Sequence, residues 1–387
     1  MVTMSARQLL PKRLVDVLMR LFPILVVAVS TGFAQEQVGS GSDPARPWVA
    51  APYEASTVIT GIEFDASTRR TEAPGSDIWP ITWAADGHQY SAFGDGAGFG
   101  ATAKDSNGRD RVSMGVARIT GDPANYVGMN VWGGKAAEHS AQFQGKGTGI
   151  ISVDGVLFMW VAGPESLTVP ETRLAVSRDL SKTWQLAEWK WTMQDRLFAG
   201  AFVNHGRDNA GAKDDFIYAA FTRLAKVPQK PRNWTHEVPG QVDLARAPKS
   251  RLLEQGAWEW FAGFDDAGNA MWTPRIDERR PCFEDPNGIK IVSLAHNAGL
   301  DRYLLVYNPH DNRGHFACFE APAPWGPWRR VAYLKSEPLF MPPEVNQRVS
   351  VFHFAPKWWR RDGREFTLVF NTGDDAWNTV RGRLLTR

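Results

Sequence analysis

Ser76-Asp-Ile-Trp-Pro-Ile-Thr-Trp-Ala-Ala-Asp-Gly-His-Gln-Tyr-Ser-Ala-Phe-Gly-Asp-Gly-Ala-Gly-Phe-Gly100 reads as a β-hairpin. Its arms, residues 78–84 and 88–94, are rich in β-branched and aromatic residues, and Asp86-Gly87 supplies the turn. The open end carries Asp77 on one arm and Asp95 on the other, and Gly94, Gly96, Gly98 and Gly100 leave the backbone bare beside them. Two acids at the end of a hairpin also fit ordinary turn capping. A carboxylate at the mouth of a buried strand is nonetheless costly unless something pairs it. Register decides how the two meet. A loop of Ala85, Asp86 and Gly87 sets Ala84 opposite His88 and Asp77 opposite Asp95, with Cβ atoms about 5 Å apart. A two-residue loop sets Asp77 opposite Gly96 and turns the carboxylates to opposite faces. Apolar residues occur on both faces in either register, so both stay open.

Outward from the hairpin the same punctuation recurs. The chain has 17 tryptophans, 35 glycines and 25 prolines, and past residue 35 it shows no convincing amphipathic helix. Short runs of Val, Ile, Phe, Trp and Tyr alternate with Gly, Pro, Asn and Asp. Asp154-Gly155, Asp266-Ala-Gly268 and Asp362-Gly363 mark turns like Asp86-Gly87. So long an all-β body exceeds one ordinary sandwich, which points to repetition. The strand-like runs fall into five groups of three or four, beginning near residues 78, 149, 197, 289 and 349. The expectation is an all-β, five-bladed β-propeller. A leftover strand at 57–64 would complete the last blade and close the ring, protecting edges otherwise exposed.

Residues 1–34 have the build of an export signal. Arg7, Lys12, Arg13 and Arg20 form a basic front, residues 21–29 an apolar core, and Gly32-Phe33-Ala34 a small-residue cleavage site. A retained anchor is the rival reading; against it, the run is short for a hydrocarbon layer of about 30 Å and Pro23 interrupts it. No Cys follows the apolar core, which argues against a lipid anchor. Residues 35–50 read as a polar linker and 51–387 as one domain, in a secreted or periplasmic protein. The whole chain carries 44 basic and 42 acidic residues; without the signal, 40 face 41. That balance offers nothing to nucleic acid. Cys282 and Cys318 either pair or stay as free buried thiols.

Ser177-Arg-Asp-Leu-Ser-Lys-Thr-Trp184 resembles the Asp box, a hairpin turn common in sialidase-like propellers, with Ser181 in place of its usual Gly. The motif is a folding signature, so Asp179 is read as structural. The hairpin 76–96, together with Lys146-Gly-Thr-Gly, Phe283-Glu-Asp-Pro-Asn-Gly288, Ala323-Pro-Trp-Gly-Pro-Trp328, Phe354-Ala-Pro-Lys-Trp358 and Asp374-Asp-Ala-Trp-Asn378, resembles a bacterial family catalogued as a domain of unknown function. Members of that family include endo-D-arabinanases built as five-bladed propellers. The resemblance covers most of residues 57–385, and it implies that Asp77 and Asp95 hold the acidic positions of a glycosidase site.

Glycosidic cleavage takes one protonated carboxyl and one ionised carboxylate across the bond, and two neighbouring carboxylates help separate their pKa values. Asp95, flanked by glycines that let substrate approach, is placed as the acid, and Asp77 as base or nucleophile. Lys146, Glu284, Asp285, Asn287, Trp79 and Trp377 fit a sugar site by type, as hydrogen-bonding groups and aromatic platforms. Each also has a plain structural use: a solvated lysine, a turn before Pro286, core tryptophans. The histidines show no metal-ligand spacing and no phosphate loop opens a helix, so neither a metal nor a cofactor is expected. The acidic loop 208–215 leaves room for a structural calcium without an EF-hand pattern. The leading function is an exported glycoside hydrolase acting on a polysaccharide such as an arabinofuranose-containing one; its rivals are a non-catalytic propeller that binds glycans or a cell surface, and a lyase-like or other enzyme that uses the same carboxylates differently.

Overall fold

The β-branched and aromatic runs do become strands. A computed structural model of the chain describes residues 49–102, 110–163, 171–225, 227, 240–309, 315–335, 339–340, 349–373 and 375–387. The export segment, most of the linker, His310 and Asp374 lie outside these. Numbered in chain order, β2 (Ile81–Trp83), β3 (Gln89–Gly94), β4 (Met114–Thr120) and β5 (Val127–Trp132) form one antiparallel sheet, and β6 (Lys146–Val153), β7 (Val156–Ala162), β8 (Thr172–Ser177) and β9 (Gln185–Leu186) a second. A ten-stranded sheet holds β10 (Leu197–Asn204), β11 (Phe216–Arg223), β12 (Gln241–Pro248), β13 (Glu259–Phe264), β14 (Ala270–Thr273) and β15 (Pro281–Glu284). It also holds β16 (Ile289–Asn297), β17 (Arg302–Pro309), β18 (His315–Ala321) and β19 (Arg329–Lys335). Its two halves meet only through a short parallel pairing of Val203 and Asn204 with Leu294 and Ala295. In the last sheet β20 (Val349–Phe354), β21 (Glu365–Thr372) and β22 (Trp377–Thr386) are followed by β1 (Ile59–Glu72), which runs antiparallel to β22. Only single 3-10 turns interrupt the strands, so the described chain is all-β. No helix among the described residues is long and apolar enough to cross a membrane.

Five apolar cores lie between these groups of strands. Met114 and Trp132 of the first sheet pack on Met159 and Trp184 of the second. Trp160 and Leu174 meet Phe221 and Ala245, Leu244 and Phe261 meet Leu305 and Phe319, and Leu304 and Phe316 meet Phe352 and Leu368. The fifth core returns to the start, with Val369 and Trp377 against Trp79, Phe93 and Ile119.

The sequence reading missed β5, β14 and β15, and it stopped β1 at residue 64 where the strand runs to Glu72. β5 and β14 are edge strands whose sequences, VGMNVW and AMWT, carry weak alternation. Cys282 and Cys318 are both buried and free. Alternation along β18 explains this. Cys318 points into the core it shares with Phe352, while Cys282 lies in the core reached by the neighbouring Ala317 and Phe319.

The Ser177–Trp184 turn is built from its own side chains. Asp179 accepts from the Thr183 backbone N–H at 2.9 Å and from the Thr183 hydroxyl at 2.6 Å, and the Ser177 hydroxyl donates to it at 2.9 Å. Ser181 sits at φ 73°, the left-handed region that favours glycine. Its hydroxyl offsets that cost by accepting from the Trp184 indole N–H at 2.8 Å.

Candidate active site

The hairpin adopts the three-residue loop near its turn, with the Ala84 N–H donating to His88 and Ile81 facing Ser91. The register then slips. Asp77 bridges to Gly94, not Asp95, because the first arm has one more residue than the second between the two pairings. The extra residue is absorbed at Ile78 and Trp79, with φ of 77° and 56°. A β-branched residue at positive φ is strained backbone, and such strain persists only where the surroundings impose it. His353, buried and pushed down to about 4 by burial, lies 3.0 Å from the Ile78 carbonyl through Nε2.

Comparable irregularities recur in β6 between Gly147 and Gly149, β10 between Phe198 and Ala201, β16 between Ile289 and Val292, and β20 between Ser350 and His353. Ala199 and Val351 there also have positive φ. Bulges re-aim side chains, and those outside β6 contribute to an incomplete central ring. Ile78, Phe198, Ile291 and Val351 pack together with Ala199 and Leu224. On one side of the ring the strands continue into a narrow cavity lined by Ile81, Gly149, Ala201, Leu294 and His353. On the other side lie Asp77, Lys146 and Lys290, each one or two residues before its strand reaches ring or cavity level. The ring therefore forms an apolar floor beneath a charged cluster.

Lys146, at the first position of β6, organises that cluster. Its side chain is only 5% exposed, and its ammonium lies 3.5 Å from Asp77 Oδ1 and in direct contact with Asp95 Oδ2. Arg111 lies 3.9 Å from the other Asp95 oxygen. Gly94 makes the approach possible, since a Cβ there would fall 2.5 Å from Asp77 Oδ1 and 2.8 Å from the Lys146 nitrogen. Burial pushes the Asp77 carboxyl up; Lys146 opposes this and the Asp95 charge adds to it. A third carboxyl joins them. Asp375 stands on the turn before β22 at φ 51°. Its backbone carbonyl accepts from the Gly75 N–H at 2.5 Å, which ties that turn to the segment carrying Asp77. Asp375 opens to solvent on one side. Burial on the others, followed by the charges of Asp77 and Asp95, pushes its carboxyl up to about 7.

Asp77, Asp95 and Lys146 thus come together, and Asp375 and Lys290 are the members that sequence reasoning did not single out. Asp375 lies in the quoted Asp374-Asp-Ala-Trp-Asn378 segment, but nothing local tells an acid on a turn that it faces a distant hairpin. The remaining candidates go elsewhere. Trp79 and Trp377 are fully buried, stacked edge-to-face at 5.2 Å, with indole N–H groups donating to the Ser76 carbonyl and the Tyr126 hydroxyl. They are core, not sugar platforms. Asp285 is fully buried and accepts from the hydroxyls of Tyr307 and Tyr333, each at 2.7 Å. Asn287 holds Val49 through both its backbone groups. Glu284 is exposed and accepts from Gln241 at 2.7 Å. Asn287 thus ties down the segment before β1, Asp285 supports it by accepting from the Asn287 backbone N–H at 2.8 Å, and the Glu284 backbone N–H donates to the Tyr53 hydroxyl of that segment at 2.9 Å.

The acidic loop near Asp208 is likewise occupied by protein donors. Asp208 accepts from the Ser152 hydroxyl at 2.6 Å, and Asp214 from the Tyr218 hydroxyl at 2.7 Å. Among the described residues, no three His, Cys, Asp or Glu side chains stand together as a metal site.

With this geometry in view, the chain can be set beside known proteins. Residues 64–353 match the family described as domain of unknown function (DUF4185), and the chain belongs to that family. Among curated proteins none matches by sequence. Among solved structures, the chain resembles a "putative hydrolase" from Bacteroides ovatus over 87% of its own length and 96% of that chain, at 14% identity and TM-score 0.52. A GH43_1 enzyme from Xanthomonas citri aligns over 87% of this chain and 90% of that one, at 13% identity and TM-score 0.44. The catalytic domain of a GH62 alpha-L-arabinofuranosidase from Coprinopsis cinerea aligns over 86% and 97%, at 10% identity and TM-score 0.45. Identities this low speak to the fold alone.

Proposed function

We propose that this protein is an exported glycoside hydrolase that cleaves a polysaccharide, with arabinofuranose-containing chains as the first candidates, through the carboxylates Asp77 and Asp95. The observation that carries the reading is the pair of aspartates against one buried ammonium, above an apolar floor. A lysine held there by both carboxylates fixes their positions, as a site for attack at an anomeric carbon requires. The fold that suits this is a five-bladed propeller with β1 closing the ring beside β22. The cyclic order of the five cores and a cavity lined by residues of five first strands support it. The mature chain would begin near Gln35, outside the cytoplasm.

The test is hydrolysis of a polysaccharide panel, arabinans first, by the wild type and by Asp77→Asn and Asp95→Asn. Each variant keeps the fold and loses about 10²–10⁴-fold in turnover, since an amide cannot relay a proton or carry the attacking charge. If a substrate is cleaved and both variants cleave it near the wild-type rate, the site is wrong. If glycans bind without cleavage, the protein is a binding module.

A further inference from the structure

We infer that Asp375 is the group that protonates the departing sugar oxygen, leaving Asp77 and Asp95 to act on water or on the anomeric carbon. This rests on the hydrolase reading above and reassigns the acid from Asp95. Three aspartates share the cluster, and they differ in what surrounds them. Asp77 and Asp95 both lie against Lys146, and Asp95 also faces Arg111. Asp375 makes no ion pair among the described residues, and it is exposed, so solvent can return a proton to it. Its turn is tied by its own backbone to Gly75, two residues before Asp77, which brings the turn to the segment carrying Asp77, and the carboxyl feels the charges of Asp77, Asp95, Lys146 and Lys290.

The charged neighbours agree. Asp77 reaches Asp375 from the hairpin's first arm, Asp95 from the end of β3, Lys146 from β6 and Lys290 from β16. The two acids raise its carboxyl and the two lysines lower it, while burial is the largest influence. A carboxyl that titrates near neutrality is matched to proton donation at neutral pH.

The step balances. The Asp375 carboxyl gives its proton to the glycosidic oxygen as the bond from that oxygen to the anomeric carbon breaks, and the leaving sugar departs as an alcohol. In direct displacement, Asp77 or Asp95 takes a proton from water as the water oxygen bonds to the anomeric carbon; that aspartate then releases the proton to solvent, and solvent reprotonates Asp375. Through a covalent intermediate, one aspartate oxygen bonds to the anomeric carbon as the glycosidic bond breaks; water then displaces that aspartate and gives its proton to the Asp375 carboxylate.

Two measurements test this. In the free protein, the carboxyl carbon of Asp375, assigned by comparing carbon-13 spectra of wild type and Asp375→Asn, titrates with a midpoint near 7. A midpoint in the ordinary aspartate range overturns the inference without any substrate. In the second, kcat/KM is compared for arabinan and for a dinitrophenyl arabinofuranoside, whose leaving group needs no proton. Asp375→Asn loses about 10²–10⁴-fold on arabinan, loses far less on the activated glycoside, and loses the fall in rate above pH 7. Equal losses on both substrates, or a retained alkaline limb, make Asp375 structural and overturn the assignment. If neither substrate is cleaved by wild type while the carboxyl still titrates near 7, it is the hydrolase reading that fails, and the assignment of Asp375 as its acid falls with it.

Discussion

Lys146 shows how much one side chain carries here. Two carboxylates beside each other in a partly desolvated site repel, and the ammonium between them offsets that repulsion. Lys146→Met keeps the stem's bulk and removes the charge. Breaking a buried ion pair by deleting one partner typically costs about 3–5 kcal/mol, and that is the loss of unfolding free energy expected at pH 8. At pH 5 the loss shrinks, because one of the aspartates can take a proton in place of its missing partner. Denaturant titrations at the two pH values check this. A pH-independent loss would mean that Lys146 acts through packing alone.

Among the elements, the turn between β8 and β9 separates a folding motif from a catalytic one. Asp179 accepts bonds from Ser177 and Thr183, and it closes a turn whose Trp184 reaches Trp132 of the preceding sheet, ring centroids 6.5 Å apart. Asp179→Ala removes several of these bonds in a partly exposed turn, for an expected loss of about 1–3 kcal/mol. Turnover at a temperature where the variant is still folded stays within about twofold of wild type. A large drop in kcat without a drop in stability would give Asp179 a role at the site. The β1–β22 pairing is the other informative element. It covers an edge of β22 that would otherwise present unpaired backbone.

For the molecule as a whole, buried titratable groups set opposing pH dependences. His205 and His353 are held down to about 4, chiefly by burial. The unfolded chain therefore binds more protons at these two sites between about 4 and 6.5, and their contribution to stability rises with pH through that window. Asp375 works the other way. With a folded value of about 7, the folded chain binds its proton more tightly, and stability falls as pH rises from about 4 to 7. Through this window the two histidines and Asp375 oppose one another. Asp375→Asn removes its contribution and makes the slope of Tm against pH more positive than in wild type, which thermal unfolding from about pH 4 to 6.5 measures. An unchanged slope in the variant would contradict the raised carboxyl.

What the sequence determined follows from local rules. Runs of β-branched and aromatic residues between Gly, Pro and Asp-Gly punctuation become strands and hairpins wherever they fall, so the all-β character and the starts of the five strand groups were legible. So were the three-residue loop as one of two choices, the self-bonded turn around Asp179, and Asp77, Asp95 and Lys146 as candidate site residues. What only the tertiary structure decided depends on contacts between distant segments. The slip at Ile78 and Trp79 replaces an Asp77–Asp95 pairing with one to Gly94. There Ile78 packs on Phe198, Ile291 and Val351 of other strand groups and its carbonyl meets His353, contacts that no hairpin sequence records. Trp79, Trp377, Asp285 and Asn287 have the side chains of a sugar site, but burial against other groups of strands makes two of them core and two of them anchors. Asp375 gained its place because the turn before β22 closes onto Gly75, and a carboxyl's proton affinity is set by the charges that folding brings beside it.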